Sequence, residues 1–172
     1  MPSNKPRLYI AMYPSGVVNN EELKYHWAFL IGPKDESKEE VPGTRYHVKN
    51  SPWGWEYEAA SLKDVRSTVN LLARISIAKI EDEKRLISIL RQVPLDQGDP
   101  NWRCLTWVAD ALDAIAKDGR CVGTAELDWS KIEAFGRRYV RAKTEAGRFS
   151  HNADMLEPKP TWDMLEDKET VS

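Results

Sequence analysis

Residues 25–32 read Tyr25-His26-Trp27-Ala28-Phe29-Leu30-Ile31-Gly32, with Pro33 next. Apart from His26 the run is apolar on both faces, and Gly32-Pro33 closes it as a turn. That pattern predicts a central strand covered on both sides. Working outward, Leu8, Ile10 and Met12 alternate with Tyr9, Ala11 and Tyr13 before Pro14-Ser15-Gly16, which predicts an earlier strand. The charged stretch Lys34 to Val41 reads as a solvated hairpin loop, and Pro42-Gly43 leads from it into a third strand over 44–50. A fourth is expected around Trp53-Gly54-Trp55-Glu56-Tyr57, and the β-branched content of 69–80 predicts a fifth.

Helical spacing takes over after that. Leu86, Ile87, Ile89, Leu90 and Val93 predict a helix from Glu81 to Val93, stopped by Pro94. Leu105, Val108, Leu112 and Ile115 form a core-facing stripe on a second, Arg103 to Lys117, with Gly119 just beyond its end. A third is expected over about 130–146, opened by the capping-box pattern Ser130-x-x-Glu133. With no repeat and no linker, residues 1–150 form one α+β domain, a small antiparallel sheet with helices packed against it. Residues 151–172 are an acidic C-terminal arm or tail. The basic face of the last helix predicts that this tail folds back, with Met155, Leu156, Trp162, Met164 and Leu165 supplying most of the docking energy.

Composition bounds the function. Of 172 residues, 30% are charged and 41% hydrophobic, a globular balance, and the formal charge of −2 offers no positive field for nucleic acid. No apolar run approaches the roughly 18 residues of a spanning helix, so no stable membrane anchor is expected. The N-terminal residues run straight into a strand-length apolar stretch, unlike a signal peptide. Two cysteines are too few for a disulfide scaffold, so reduced thiols and a cytoplasmic location are expected.

Cys104 opens a predicted helix, where free N–H groups favour an anion. A thiol there is expected to have a lowered pKa and a share of reactive thiolate. The same N–H groups suit the oxyanion formed when sulfur attacks a carbonyl. His26 and His47 sit on strands joined by one hairpin, so one imidazole can serve the thiol while the other orients it. Each residue taken alone is more often an inert core group, and only the coincidence of three points to catalysis. The His, His, Cys set lacks CxxC or HExxH spacing, so no metal and no cofactor is expected. Trp53, Trp55 and Trp102 suit the wall of an acyl or aromatic pocket, or simply a small core.

The strand 25–32 resembles the His-Trp-Ala-x-x-x-Gly strand of lecithin:retinol acyltransferase-like proteins. Tyr46-His47-Val48 is similar to their second His strand, and Asn101-Trp102-Arg103-Cys104-Leu105-Thr106-Trp107-Val108 to their Asn-Cys-x-x-Phe helix start. The order His26, His47, Cys104 matches the circularly permuted branch of the papain-like NlpC/P60 superfamily. The Trp102-x-Cys104-x-x-Trp107 signature also looks like that of an uncharacterised group of fungal proteins. Here Trp102-Arg103 separates the Asn and Cys that are adjacent in the acyltransferases. The resemblance implies a permuted papain-like fold and a cysteine-dependent hydrolase or acyltransferase. Such an enzyme acts on an ester, thioester or amide of a small-molecule acyl or peptide substrate, through an acyl-thioenzyme. Cys104 is then the nucleophile, His26 the base and His47 its orienting partner. The rival expectation is a catalytically silent binding module that uses the Trp-lined cleft.

Overall fold

The structure, a computed structural model, describes residues 4–172. Five strands come first: β1 (Arg7–Pro14), β2 (Tyr25–Gly32), β3 (Gly43–Ser51), β4 (Gly54–Leu62) and β5 (Ala73–Ile80). Then follow α1 (Glu83–Gln92), α2 (Cys104–Asp118), β6 (Val122–Ala125), α3 (Trp129–Glu145), β7 (Thr161–Asp163) and β8 (Lys168–Val171). One sheet runs in the order β4-β3-β2-β1-β5-β7-β8, with β6 also on β5. All pairs are antiparallel except β5–β7. The expected α+β class and antiparallel sheet are therefore observed, with more strands than the sequence suggested.

β2 lies inside the sheet and is covered on both faces, as its unbroken apolar run requires. Leu8, Ile10, Met12, Trp27 and Phe29 face the helices and pack with Trp107, Leu112 and Val140. Tyr9, Ala11, Tyr13, Ala28 and Leu30 face the other way, under Val41, Val65 and Leu71 of the connecting loops. Burial of these two layers supplies the main folding drive. α3 approaches the sheet closely at Gly136, where an added Cβ would lie 2.9 Å from Met12 Sδ and 3.1 Å from Ile75 Cδ1.

Several boundaries differ from the sequence reading. β5 begins at Ala73 rather than Val69, because the buried Lys159 ammonium takes the carbonyls of Thr68 and Leu71, each at 2.8 Å. Thr68 O also accepts from Leu71 N–H at 3.1 Å, so residues 68–71 form a turn held by Lys159. β4 extends to Leu62, paired with β3 over its whole length. α3 is capped two residues earlier than expected: the Asp128 carboxylate accepts from the Lys131 N–H, and Ser130 lies within the helix.

The acidic C-terminal segment is not a loose tail. β7 joins β5 in parallel and β8 closes on β7, so the segment is part of the sheet. Trp162 packs on Phe135 at 5.2 Å and Tyr139 at 6.1 Å between ring centroids. Glu169 accepts from Tyr139 Oη and pairs with Lys143 at 2.9 Å. Leu156 is the exception to the expected docking set, being 70% exposed. Among the described residues no helix is long and apolar enough to cross a membrane. Trp162→Ala is expected to cost about 2 kcal/mol, because the indole is half-buried. Calorimetry should then record a melting temperature about 4–8 °C lower. Trp53→Ala, at a 90% exposed position, should leave it unchanged. Equal effects of the two would refute the docking role.

Candidate active site

Pairing between β2 and β3 covers only Phe29–Tyr46, Leu30–Arg45 and Ile31–Thr44, although both strands continue beyond it. The strands fork there. Met12 stands opposite Trp27, and its carbonyl accepts from Leu72 N–H on the other side. Hydrogen-bonded and non-hydrogen-bonded pairs alternate in an antiparallel ladder, so Trp27 turns its own N–H into the fork. The fork opens into a cavity of about 830 Å³ lined by Cys104, His26, His47, Arg45, Tyr13, Trp55 and Trp102, among others. That is ample for a small organic ligand.

Two groups of side chains reach this cavity from opposite faces of the sheet. Alternation places His26 on the face of Ala28 and Leu30, and places Arg45 and His47 opposite in sense to Tyr46 and Val48. Glu58 stands directly across from His47 in the β3–β4 ladder and so shares that face. Cys104 enters from the helix side at the N-terminus of α2. The loop before it is tied to β4 through Gln97, whose side chain accepts from Trp55 N–H at 2.8 Å and donates to Trp55 O at 2.9 Å. Gly54 permits this contact: its φ is +114°, and an added Cβ would lie 2.5 Å from Gln97 Oε1. Trp102 is thereby set edge-on to Trp55, 5.4 Å between centroids.

His26 Nε2 lies 2.8 Å from His47 Nδ1, and His47 Nε2 lies 2.8 Å from Glu58 Oε1. The tautomers follow from the far end of this chain. Lys49 donates to Glu58 Oε2 at 2.8 Å; Lys49 and then His47 pull the Glu58 carboxyl down to about 2. An ionised Glu58 accepts only, so His47 carries its proton on Nε2. Nδ1 of neutral His47 then accepts from His26 Nε2–H. The lone pair of His26 is left on Nδ1, the atom a general base needs. Burial, followed by the charges of His47 and Arg45, lowers His26 to about 4. Burial also lowers His47, against the pull of Glu58.

The thiol differs from the sequence expectation. Burial raises its pKa, and the N–H groups of Trp27, Leu105 and Cys104, which favour thiolate, only partly offset this. Cys104 is 8% exposed, so lost hydration outweighs the helix N-terminus. Neutral thiol and neutral imidazole are therefore the resting forms. No hydrogen bond among the described residues joins Cys104 to either imidazole. Trp53, expected in the wall, lies outside the cavity because Pro52-Trp53 forms the β3–β4 turn. Glu58, Tyr13 and Arg45 were not singled out from the sequence. Among the described residues no cluster of three or more His, Cys, Asp or Glu is arranged to hold a metal. Cys121 is fully buried and bonded through its backbone to Asp118, Glu81 and Asp82, a structural position.

The lowered pKa of His26 carries a signed consequence. Between about pH 6.5 and pH 4 the unfolded chain binds a proton that the folded chain refuses. Stability conferred by neutral His26 is thus present above the unfolded pKa and lost as pH falls through that window. Nitrogen-15 NMR should find His26 neutral, with the proton on Nε2, at pH 6 and a midpoint near 4. A midpoint near 6.5 would contradict the buried relay.

No curated protein and no solved structure matches this chain. A family model does match, over residues 5–171, nearly the whole length and including both C-terminal strands. The chain belongs to DUF6914, a family of unknown function.

Proposed function

We propose that the chain is a cysteine-dependent hydrolase or acyltransferase of permuted papain-like type, acting on an ester, thioester or amide. The observation that carries this reading is a single cavity shared by a thiol at a helix N-terminus and a His26–His47–Glu58 relay. The chain order of His26, His47 and Cys104, and a helix packed on an antiparallel sheet, support the fold assignment.

Cys104 Sγ attacks the acyl carbon while its proton passes to Nδ1 of His26. The carbonyl electron pair moves onto oxygen, where the N–H groups of Cys104 and Trp27 are suited to receive it. On collapse the pair returns, the bond to the alkoxide, thiolate or amine breaks, and the leaving group takes the proton from His26. Water or a second acceptor then attacks the thioester with His26 as base, which releases the acyl product and restores the thiol. Because thiol and imidazole both rest neutral, proton transfer accompanies attack rather than preceding it. His47, held by Glu58, stabilises the His26 imidazolium formed in that step.

Hydrolysis of p-nitrophenyl esters by the full chain measures this directly. Cys104→Ala should abolish it, and His26→Ala should lower kcat by about 10²–10⁴-fold. His47→Asn should retain more activity than His47→Ala, because the amide oxygen still accepts from His26. The rate on the wild-type chain should hold constant down through pH 6 and fall only as His26 protonates near 4. Full activity in Cys104→Ala ends the thiol reading. The neutral thiol, with no hydrogen bond to either imidazole among the described residues, favours a second reading, a cavity that binds without turnover, in which Cys104→Ala would bind ligand as the wild type does.

A further inference from the structure

Two buried polar atoms in the cavity wall, Tyr13 Oη and Arg45 Nε, make no hydrogen bond of good geometry; Arg45 lies close enough to act on the phenol oxygen, which leaves the Tyr13 O–H and the Arg45 Nε–H without an acceptor. Tyr13 is only 5% exposed, and the Arg45 guanidinium lies over its ring, 5.6 Å from the centroid. Buried donors are nearly always satisfied in a folded protein, so two orphans side by side on one wall call for an acceptor from outside. The nearest carboxylate does not serve. Glu58 Oε1 is 3.8 Å from Arg45 Nη2, and its oxygens are already held at 2.8 Å by His47 and Lys49. Two other cations line the cavity, Lys49 and Arg103, against the single carboxylate of Glu22. Lys49 is committed to Glu58, and Arg103 Nε donates to Asn101 O at 3.1 Å. Arg45 Nε thus keeps an open buried donor, in a site of net positive charge.

Resting on the thiol reading above, we propose that Arg45 and Tyr13 receive a compact oxyanion on the substrate, so that the substrate is an anionic acyl compound. The side-on edge of a guanidinium and a phenol hydroxyl suit a carboxylate or phosphate group. The layout of the cavity follows this chemistry. Tyr13 and Arg45 share the sheet face of His26, while Cys104, Trp55 and Trp102 belong to the helix face. The anionic group sits beyond His26, the reacting carbonyl lies at the fork, and an apolar or aromatic portion meets Trp55 and Trp102.

The test compares matched esters on the full chain: p-nitrophenyl butyrate, mono-p-nitrophenyl succinate and p-nitrophenyl 3-phosphonopropionate. At least one anionic ester should be preferred over butyrate by about tenfold or more in kcat/KM, mainly through KM. Which of the two is preferred separates carboxylate from phosphate. Arg45→Gln and Tyr13→Phe should each lose more on the anionic ester than on butyrate, and the preference should fade with added salt. Equal rates on neutral and anionic esters, or a preference that survives both substitutions, overturn the proposal. Should Arg45→Gln fail to fold, Tyr13→Phe carries the test alone. Calorimetry on the Cys104→Ala chain with succinate and with inorganic phosphate separates the two claims. Anion binding that disappears when Arg45→Gln is added supports the subsite even if no ester is cleaved. Cys104-dependent cleavage of butyrate with neither anion bound refutes the subsite and leaves the thiol reading standing.

Discussion

A buried strand whose neighbour turns away is left with backbone groups that must find other partners, and β2 meets that constraint at Trp27. Its ladder to β3 stops at Phe29 and Tyr46, which leaves the first four residues of β2, Tyr25 to Ala28, unpaired on that side. The gap cannot stay empty without cost, and the N-terminus of α2 fills its helix side. Cys104 is brought to the Trp27 N–H by this packing. The same gap lets His26 and His47 lean together at 2.8 Å without the pairing that would hold their strands flat. Cavity, thiol position and imidazole contact all follow from one interruption in one ladder.

Electrostatics then run in a single direction along the relay. Glu58 lies beside Arg45 and Lys49 and stays ionised, which sets the tautomer of His47, which sets that of His26. Burial keeps both imidazoles neutral at physiological pH. It keeps the thiol neutral as well, so thiol and imidazole form no ion pair at rest and bear no desolvation cost for one. The arrangement suits a nucleophile that is activated when substrate arrives, because the attacking charge develops only where N–H donors face it. The loop that closes the opposite face is pinned by Lys159 on Thr68 and Leu71, and Thr68 lines the cavity. The C-terminal segment therefore shapes the site as well as the sheet edge.

The apolar run of 25–31 and the stripe on α2 made the central strand and its covering helix legible in the sequence, because period alone distinguishes them. His26 and His47 were legible as neighbours because one hairpin joins their strands. Glu58 was not, since its place opposite His47 depends on the register of the tight Pro52-Trp53 hairpin, and the sequence reading put Trp53 inside the strand. Trp53 misled for the converse reason: it alternates with Trp55 in sequence, yet it sits in the turn rather than the ladder. The helix N-terminus around Cys104 was readable, but its burial was not. Burial decides the sign of the thiol's shift. The parallel pairing of β7 on β5 joins residues 87 apart, and no local pattern encodes such a contact.

The central claim is that Cys104 forms an acyl adduct with His26 as its base. Rapid-quench intact-mass measurement after mixing the full chain with p-nitrophenyl acetate at pH 7 tests it most directly. The account predicts one acetyl group per chain, mapped to Cys104, forming in a burst that slows by about 10²-fold or more in His26→Ala. Acetylation confined to lysines, or a burst at Cys104 unaffected by His26→Ala, would contradict it.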